Sequence, residues 1–195
     1  MTDQAAAADL LDVAVDHAVA ALRQYTAGDW TGPMAELDGT VNETVHHAAE
    51  AMFRYAVKLV LQPKDPALPF LLSTEPDTDP RGMVDLVVAG GAVLASLVRT
   101  VSPDVRGWHI YGTSDPVGFA AMGIVETLVH THDVALTFGG PFTLPAAPSA
   151  FAVERLFPDA PDGDPADVLL WCAGRAPLGE LARRTQWRWD GTVRR

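Results

Sequence analysis

The stretch Ser114-Asp-Pro-Val-Gly-Phe-Ala-Ala-Met-Gly-Ile-Val-Glu-Thr-Leu-Val-His-Thr-His-Asp-Val-Ala-Leu-Thr-Phe138 decides the fold. Wound at about 100° per residue, it is apolar nearly all round, with Phe119, Met122, Val125, Val129 and Leu136 at helical spacing. A helix of that kind is buried on most sides, so it needs others around it. The chain supplies three of matched length. Asp3 to Thr26 carries Leu10, Ala14, Ala18 and Leu22. Thr40 to Leu61 carries Val41, Val45, Ala48, Met52, Ala56 and Leu59. Asp79 to Thr100 carries Leu86, Val93, Leu97 and Val98 on an almost wholly apolar run. No stretch of comparable length alternates at period two. The pattern predicts an all-α protein built on a four-helix bundle.

Glycine and proline separate these stretches: Gly28, Gly32 and Pro33; Pro63, Pro66 and Pro69; Pro76 and Pro80; Pro103 and Gly107; Gly139, Gly140, Pro141 and Pro145. Asp79 with Pro80, and Ser114 or Asp115 with Pro116, read as helix starts. Gly139 reads as a helix stop. Gly90-Gly91, costly inside a helix, predicts a close helix approach or space for a ligand. Beyond Pro145, Ala147 to Leu156 and Pro165 to Ala173 read as two short helices. The expected organisation is a bundle over residues 1–140 and a short helical C-terminal extension over 141–195, packed on the bundle. The tail Gln186-Trp187-Arg188-Trp189 is too aromatic to stay in solvent and is expected to fold back.

Hydrophobic residues make up 48% of the 195 and charged residues 20%, which excludes a disordered chain. Lys+Arg is 14 against Asp+Glu 25, a net charge of −11. A surface so acidic repels phosphate backbones and anionic lipid, so no nucleic-acid or membrane partner is expected. The single cysteine, Cys172, excludes an internal disulfide framework and reads as a small buried hydrophobe. A reducing cytoplasm is the expected location. The N-terminus has no basic segment ahead of an apolar one, so no signal peptide is expected. Polar residues or Gly interrupt the apolar runs before ~18 residues, so no membrane span is expected either.

The chemistry concentrates on the same decisive helix. Glu126 and His130 are four apart and share one face, about 6 Å apart along the axis. Asp133 extends the stripe by a turn, and Gly123, one turn before, is expected to leave that face uncrowded. A carboxylate and an imidazole in so apolar a helix must be paired or bound to metal. Glu-x-x-x-His offers two ligands of the kind that zinc, iron or nickel accepts. A third ligand has to come from another helix, and His46 and His47 are the candidates. Amphipathicity favours His46 as the one turned inward, because His47 falls among Glu43, Glu50 and Arg54; an open polar cleft would instead let His47 serve. His17 reads as a solvated or interface residue, His132 as facing away from the Glu126/His130 stripe into the core or behind a ligand, and His109 as part of a loop that can equally rim a pocket or simply pack. Asp77, Asp79, Asp159, Asp162 and Asp164 read as solubilising or capping.

Three passages carry a resemblance: Gly39-Thr40-Val41-Asn42-Glu43-Thr44-Val45-His46-His47, Glu126-Thr127-Leu128-Val129-His130-Thr131-His132-Asp133-Val134-Ala135, and Leu169-Leu170-Trp171-Cys172-Ala173-Gly174-Arg175. The chain resembles the DinB-like four-helix bundles, and among them the N-terminal domain of mycothiol-dependent maleylpyruvate isomerases. Where that family has Trp before the Thr-Val pair, this chain has Gly39. The resemblance implies a divalent metal, usually zinc, held by His47, Glu126 and His130, with His46 as the fallback for His47. It implies a low-molecular-weight thiol cosubstrate, mycothiol-like, made nucleophilic by the metal. His132 or Asp133 would orient a ligand or shuttle a proton. The activity implied is a metal-dependent thiol transferase or isomerase acting on a small electrophile. Metal-assisted hydrolysis and metal or small-molecule binding without catalysis are the alternatives. The isomerases' larger C-terminal domain is expected to be absent or reduced, and the resemblance allows a homodimer.

Overall fold

The computed structural model of the protein describes residues 3–66, 68, 73–75 and 77–193. Pro69 and Pro76, read above as breaks, lie outside the described residues, as does the Met1-Thr2 end. Six helices follow in order: α1 (Gln4–Leu22), α2 (Val41–Leu61), α3 (Pro80–Thr100), α4 (Pro116–Thr137), α5 (Ala146–Leu156) and α6 (Pro165–Cys172). Among the described residues there is no strand, so the protein is all-α.

Side chains set the helix starts. Asp3, Asp79, Asp115 and Asp164 each accept a backbone N–H from the first turn of the helix they precede. Thr40 and Glu43 form a reciprocal capping box on α2. Each such cap is worth about 1 kcal/mol. Asp115 rather than Ser114 caps α4. Ser114 is fully buried and exchanges backbone hydrogen bonds with Gly107, which closes the 107–114 loop. Gly39, before the α2 cap, has φ 94°, and a Cβ there would lie 2.9 Å from a Glu43 carboxylate oxygen. Glycine is favoured at that φ, which accounts for its place in the first passage.

The long helices pack as α1 on α3 and α4, and α2 on α3 and α4. α4 is buried along nearly its whole length. Gly90 and Gly91 mark close helix approach: a Cβ on Gly90 would be 3.1 Å from the Ala49 carbonyl oxygen, and one on Gly91 would be 2.7 Å from Val15. Gly123 also serves packing, not the Glu126 face. A Cβ there would be 2.9 Å from Leu94 and 3.2 Å from Leu11, which corrects the expectation that it clears room for a site.

α3 corrects two further expectations. Its buried face is Met83, Val84, Val87, Gly90, Gly91, Leu94, Ala95 and Val98. Val93, expected inside, is 42% exposed. A run apolar on all sides carries no phase, so neighbours and not periodicity choose the inward face. Among the described residues, α3 is also long and apolar enough, by length and composition, to cross a membrane, with a mean hydropathy of 1.6. No stretch was expected to reach that threshold.

α5 packs on α4, and α6 on α5. Phe151, Leu156, Leu169, Cys172 and Trp189 join the buried cluster of the long helices. The tail folds back as expected. Asp190 N–H donates to Leu156 O at 2.8 Å, and Gly191 N–H donates to Tyr111 O at 2.7 Å. The Arg155 guanidinium ties the Thr192 carbonyl to Asp115 at the start of α4. These bonds bring Trp189 against His109 and Tyr111 of the 107–114 loop, while Trp187 lies against Arg175.

Candidate metal centre

Glu126 on α4 is 8% exposed, and its carboxylate faces α2. One oxygen, Oε1, accepts the Tyr55 hydroxyl at 2.9 Å. The other, Oε2, is 3.4 Å from His47 Nε2 and 3.3 Å from His130 Nε2. The three ligand atoms of His47, Glu126 and His130 lie within 4.8 Å of one another. The imidazoles stand edge to face, ring centres 5.2 Å apart and planes at 89°. The i, i+4 spacing on α4 puts Glu126 and His130 on one face, and the α2–α4 contact brings His47 to them.

This arrangement fits a divalent cation. Nitrogen and oxygen ligands at about 2.0–2.1 Å in a tetrahedron stand about 3.3–3.4 Å from each other. The separations from Glu126 Oε2 to both imidazole nitrogens have those values, which are long for direct hydrogen bonds. Around His130, Asp133 Oδ2 lies 3.3 Å from Nδ1. The contact is poorly aligned, leaving Nδ1 without a formed hydrogen bond. It nonetheless favours a proton on Nδ1, which frees the Nε2 lone pair for a metal. Asp133 is itself held by Arg175, whose Nε and Nη2 donate to its two oxygens at 3.1 and 2.8 Å. Asp133 thus stands between Arg175 and the His130 ring.

The charges are mutually set. Burial alone would raise the Glu126 carboxyl, but the neighbouring His130 and His47 outweigh it and hold the pKa well below the carboxylate range. Burial would lower His130, but Asp133 and Glu126 push it up to about 9. Burial and the Glu126 charge raise Tyr55 well above an ordinary phenol, so it remains a hydrogen-bond donor. Burial opposes ionisation of Asp133, but His130 and Arg175 keep it lowered.

The group opens on a cavity of about 690 Å³. His47 has 58% of its side chain exposed, against 17% for His130, so it stands on the open side. Val125, Val129 and Glu126 line the cavity together with Trp108, His109, Trp187 and Trp189. The His109 loop, for which rimming a pocket and plain packing were both open, thus contributes a buried side chain to the cavity lining. His46 does not join the group. It is half-buried, and its Nε2 is enclosed without a hydrogen-bond partner. The amphipathic preference for His46 is therefore corrected in favour of His47. His132 does not line the cavity either; burial lowers its pKa, and its neighbours are Asp133, Arg175, Glu36 and the Phe142 backbone. His17 is exposed and its Nε2 meets the Thr143 carbonyl at 2.8 Å. Cys172 is fully buried, and burial pushes its thiol up to about 11.

Tyr55, Lys58 and Arg175 were not among the candidate site residues. Tyr55 reads as one more apolar-face residue of α2, and Arg175 as loop charge; their roles depend on contacts 71 and 42 residues away.

No family model matches the chain, and no curated protein or solved structure matches it significantly.

Proposed function

We propose that the chain is a metal-dependent thiol transferase or isomerase on a DinB-like bundle. In this reading His47, Glu126 and His130 hold a divalent cation, zinc by the chemistry of the donor set. A low-molecular-weight thiol, mycothiol-like, attacks a small electrophile in the adjoining cavity. The observation that carries the reading is the convergence of three ligand atoms from two helices at the wall of a cavity.

A bound divalent cation stabilises thiolate over thiol and so supplies a strong nucleophile at neutral pH. The chain's residues do the rest. Glu126 is fixed by the Tyr55 hydroxyl on the oxygen that faces away from the imidazoles. His130 is oriented by Asp133, and Asp133 by Arg175. The exposed side of His47 leaves an approach for the cosubstrate. The aromatic rim limits water around the reacting groups. The chain's own thiol is buried and held protonated, so the nucleophile has to be brought in.

Elemental analysis of the purified protein, paired with turnover over a panel of electrophiles with and without added thiol, tests this. Stoichiometric metal with turnover only in the presence of thiol is the expected result. Thiol-independent turnover would assign a metal-assisted hydrolase, and metal without turnover a binding module; either overturns the reading.

A further inference from the structure

Apart from the histidines, three basic side chains line the cavity: Arg54, Lys58 and Arg175. Arg54 lies 3.3 Å from Glu50, and Arg175 is forked onto Asp133. Lys58 pairs with no carboxylate among the described residues, and every Asp and Glu side chain of the chain is among them. Yet Lys58 is only 6% exposed. Its Nζ lies 5.7 Å from the Tyr55 ring centre and 5.7 Å from that of Trp108. The backbone N–H of Trp108 donates to Pro63 O, just past the end of α2. A chain with net charge −11 has acids to spare, so a largely buried lysine set beside none of them, with its ammonium open to the cavity, is a cost that packing does not require.

His109 lines the same cavity. Its Nδ1 accepts the Tyr111 N–H at 3.2 Å, which leaves the proton on Nε2. Burial and the Lys58 charge keep the ring neutral, its pKa down to about 4. An ammonium and a neutral N–H donor therefore share one cavity with the aromatic rings of Trp108, Tyr111 and Trp189. One unpaired positive charge with one neutral donor matches a monoanion better than a doubly charged phosphate.

We propose that Lys58, seconded by His109, is an anion-binding subsite. The small molecule it takes carries a carboxylate on a flat apolar body. Its reacting end points to the His47–Glu126–His130 group, a placement that rests on the function proposed above; the subsite itself does not.

Lys58 and Lys64 are the protein's two lysines, so amine acetylation can be followed at each by mass spectrometry. Benzoate should slow acetylation of Lys58 about tenfold at saturation, leave Lys64 unchanged, and lose its effect when replaced by benzamide. An unchanged Lys58 rate, or equal protection by benzamide, overturns the subsite. A second arm reads the metal. Cobalt-loaded protein is titrated with 3-mercaptopropionate and 3-mercaptopropionamide, following the thiolate-to-cobalt absorption. The acid should bind about tenfold more tightly than the amide, Lys58→Met should abolish that preference, and Lys58→Arg should retain it. A preference that survives Lys58→Met overturns the placement of the carboxylate. Absence of the absorption with both probes overturns the thiol function and leaves the benzoate result to judge the subsite alone.

Discussion

The two ends of the cavity treat charge in opposite ways. Around Glu126 every charge has an answer: Tyr55 on one oxygen, two imidazoles on the other, Asp133 behind His130, and Arg175 behind Asp133. Around Lys58 there is an ammonium, two aromatic faces and a neutral imidazole, with no carboxylate. Both ends bury a charged side chain, Glu126 at one and Lys58 at the other, so both incur desolvation. One compensates from within the chain; the other leaves the compensation to a ligand. A balanced cluster holds side chains in place, and an unbalanced one selects what enters.

The comparison is broken most severely by His130→Ala. Affinity for zinc should fall by more than about a hundredfold, beyond the usual loss for an outer-shell partner, while far-UV circular dichroism stays that of a folded helical protein. Retained stoichiometric metal would show that the balanced end is not a metal centre. Tyr55→Phe and Asp133→Asn remove only the supports, and each should cost about 10- to 100-fold in metal affinity by competition with a chelator. Lys58→Met probes the other end, with the opposite sign in stability. The Lys58 pKa falls from 10.5 to about 8 through burial and the nearby Arg54 charge. The folded state therefore carries the full penalty below pH 8, and the penalty disappears as pH rises toward 10.5. Allowing for screening by cavity water, Lys58→Met should stabilise the protein by about 2 kcal/mol at pH 7 and by little at pH 10.5, measured by urea unfolding. A destabilised variant at pH 7 would mean that Lys58 has a structural partner. The smallest effect sharpens the ligand assignment: His46→Ala should change metal affinity by less than about twofold, whereas His47→Ala should behave like the loss of a ligand.

Much of this was legible in the residues. The all-round apolarity of α4 and the three companions of matched length fixed an all-α architecture, and Glu126 and His130 followed from spacing alone. The choice between His46 and His47 did not. Amphipathicity counts any polar face as outside, but a cavity cut into the side of a bundle turns part of that face into a wall. Val93 failed for a related reason: a helix apolar on every side gives periodicity nothing to lock onto. Lys58 reads as a cation in the last turn of α2, where it complements the helix dipole. Only its enclosure by Trp108, from a loop 50 residues later, makes it unusual. Arg175 stood in one of the recognised passages, but its grip on Asp133 is a matter of tertiary distance.

The return of Trp187 and Trp189 to the cavity has a bearing on how the molecule matures. Glu126, His47 and His130 can meet once α4 has docked, yet part of the wall beside them comes from residues translated some fifty positions later. During synthesis, then, the three side chains converge before the hollow next to them is complete. Chains interrupted ahead of Trp187 would keep the cluster and lack two of the aromatic side chains that line its surroundings.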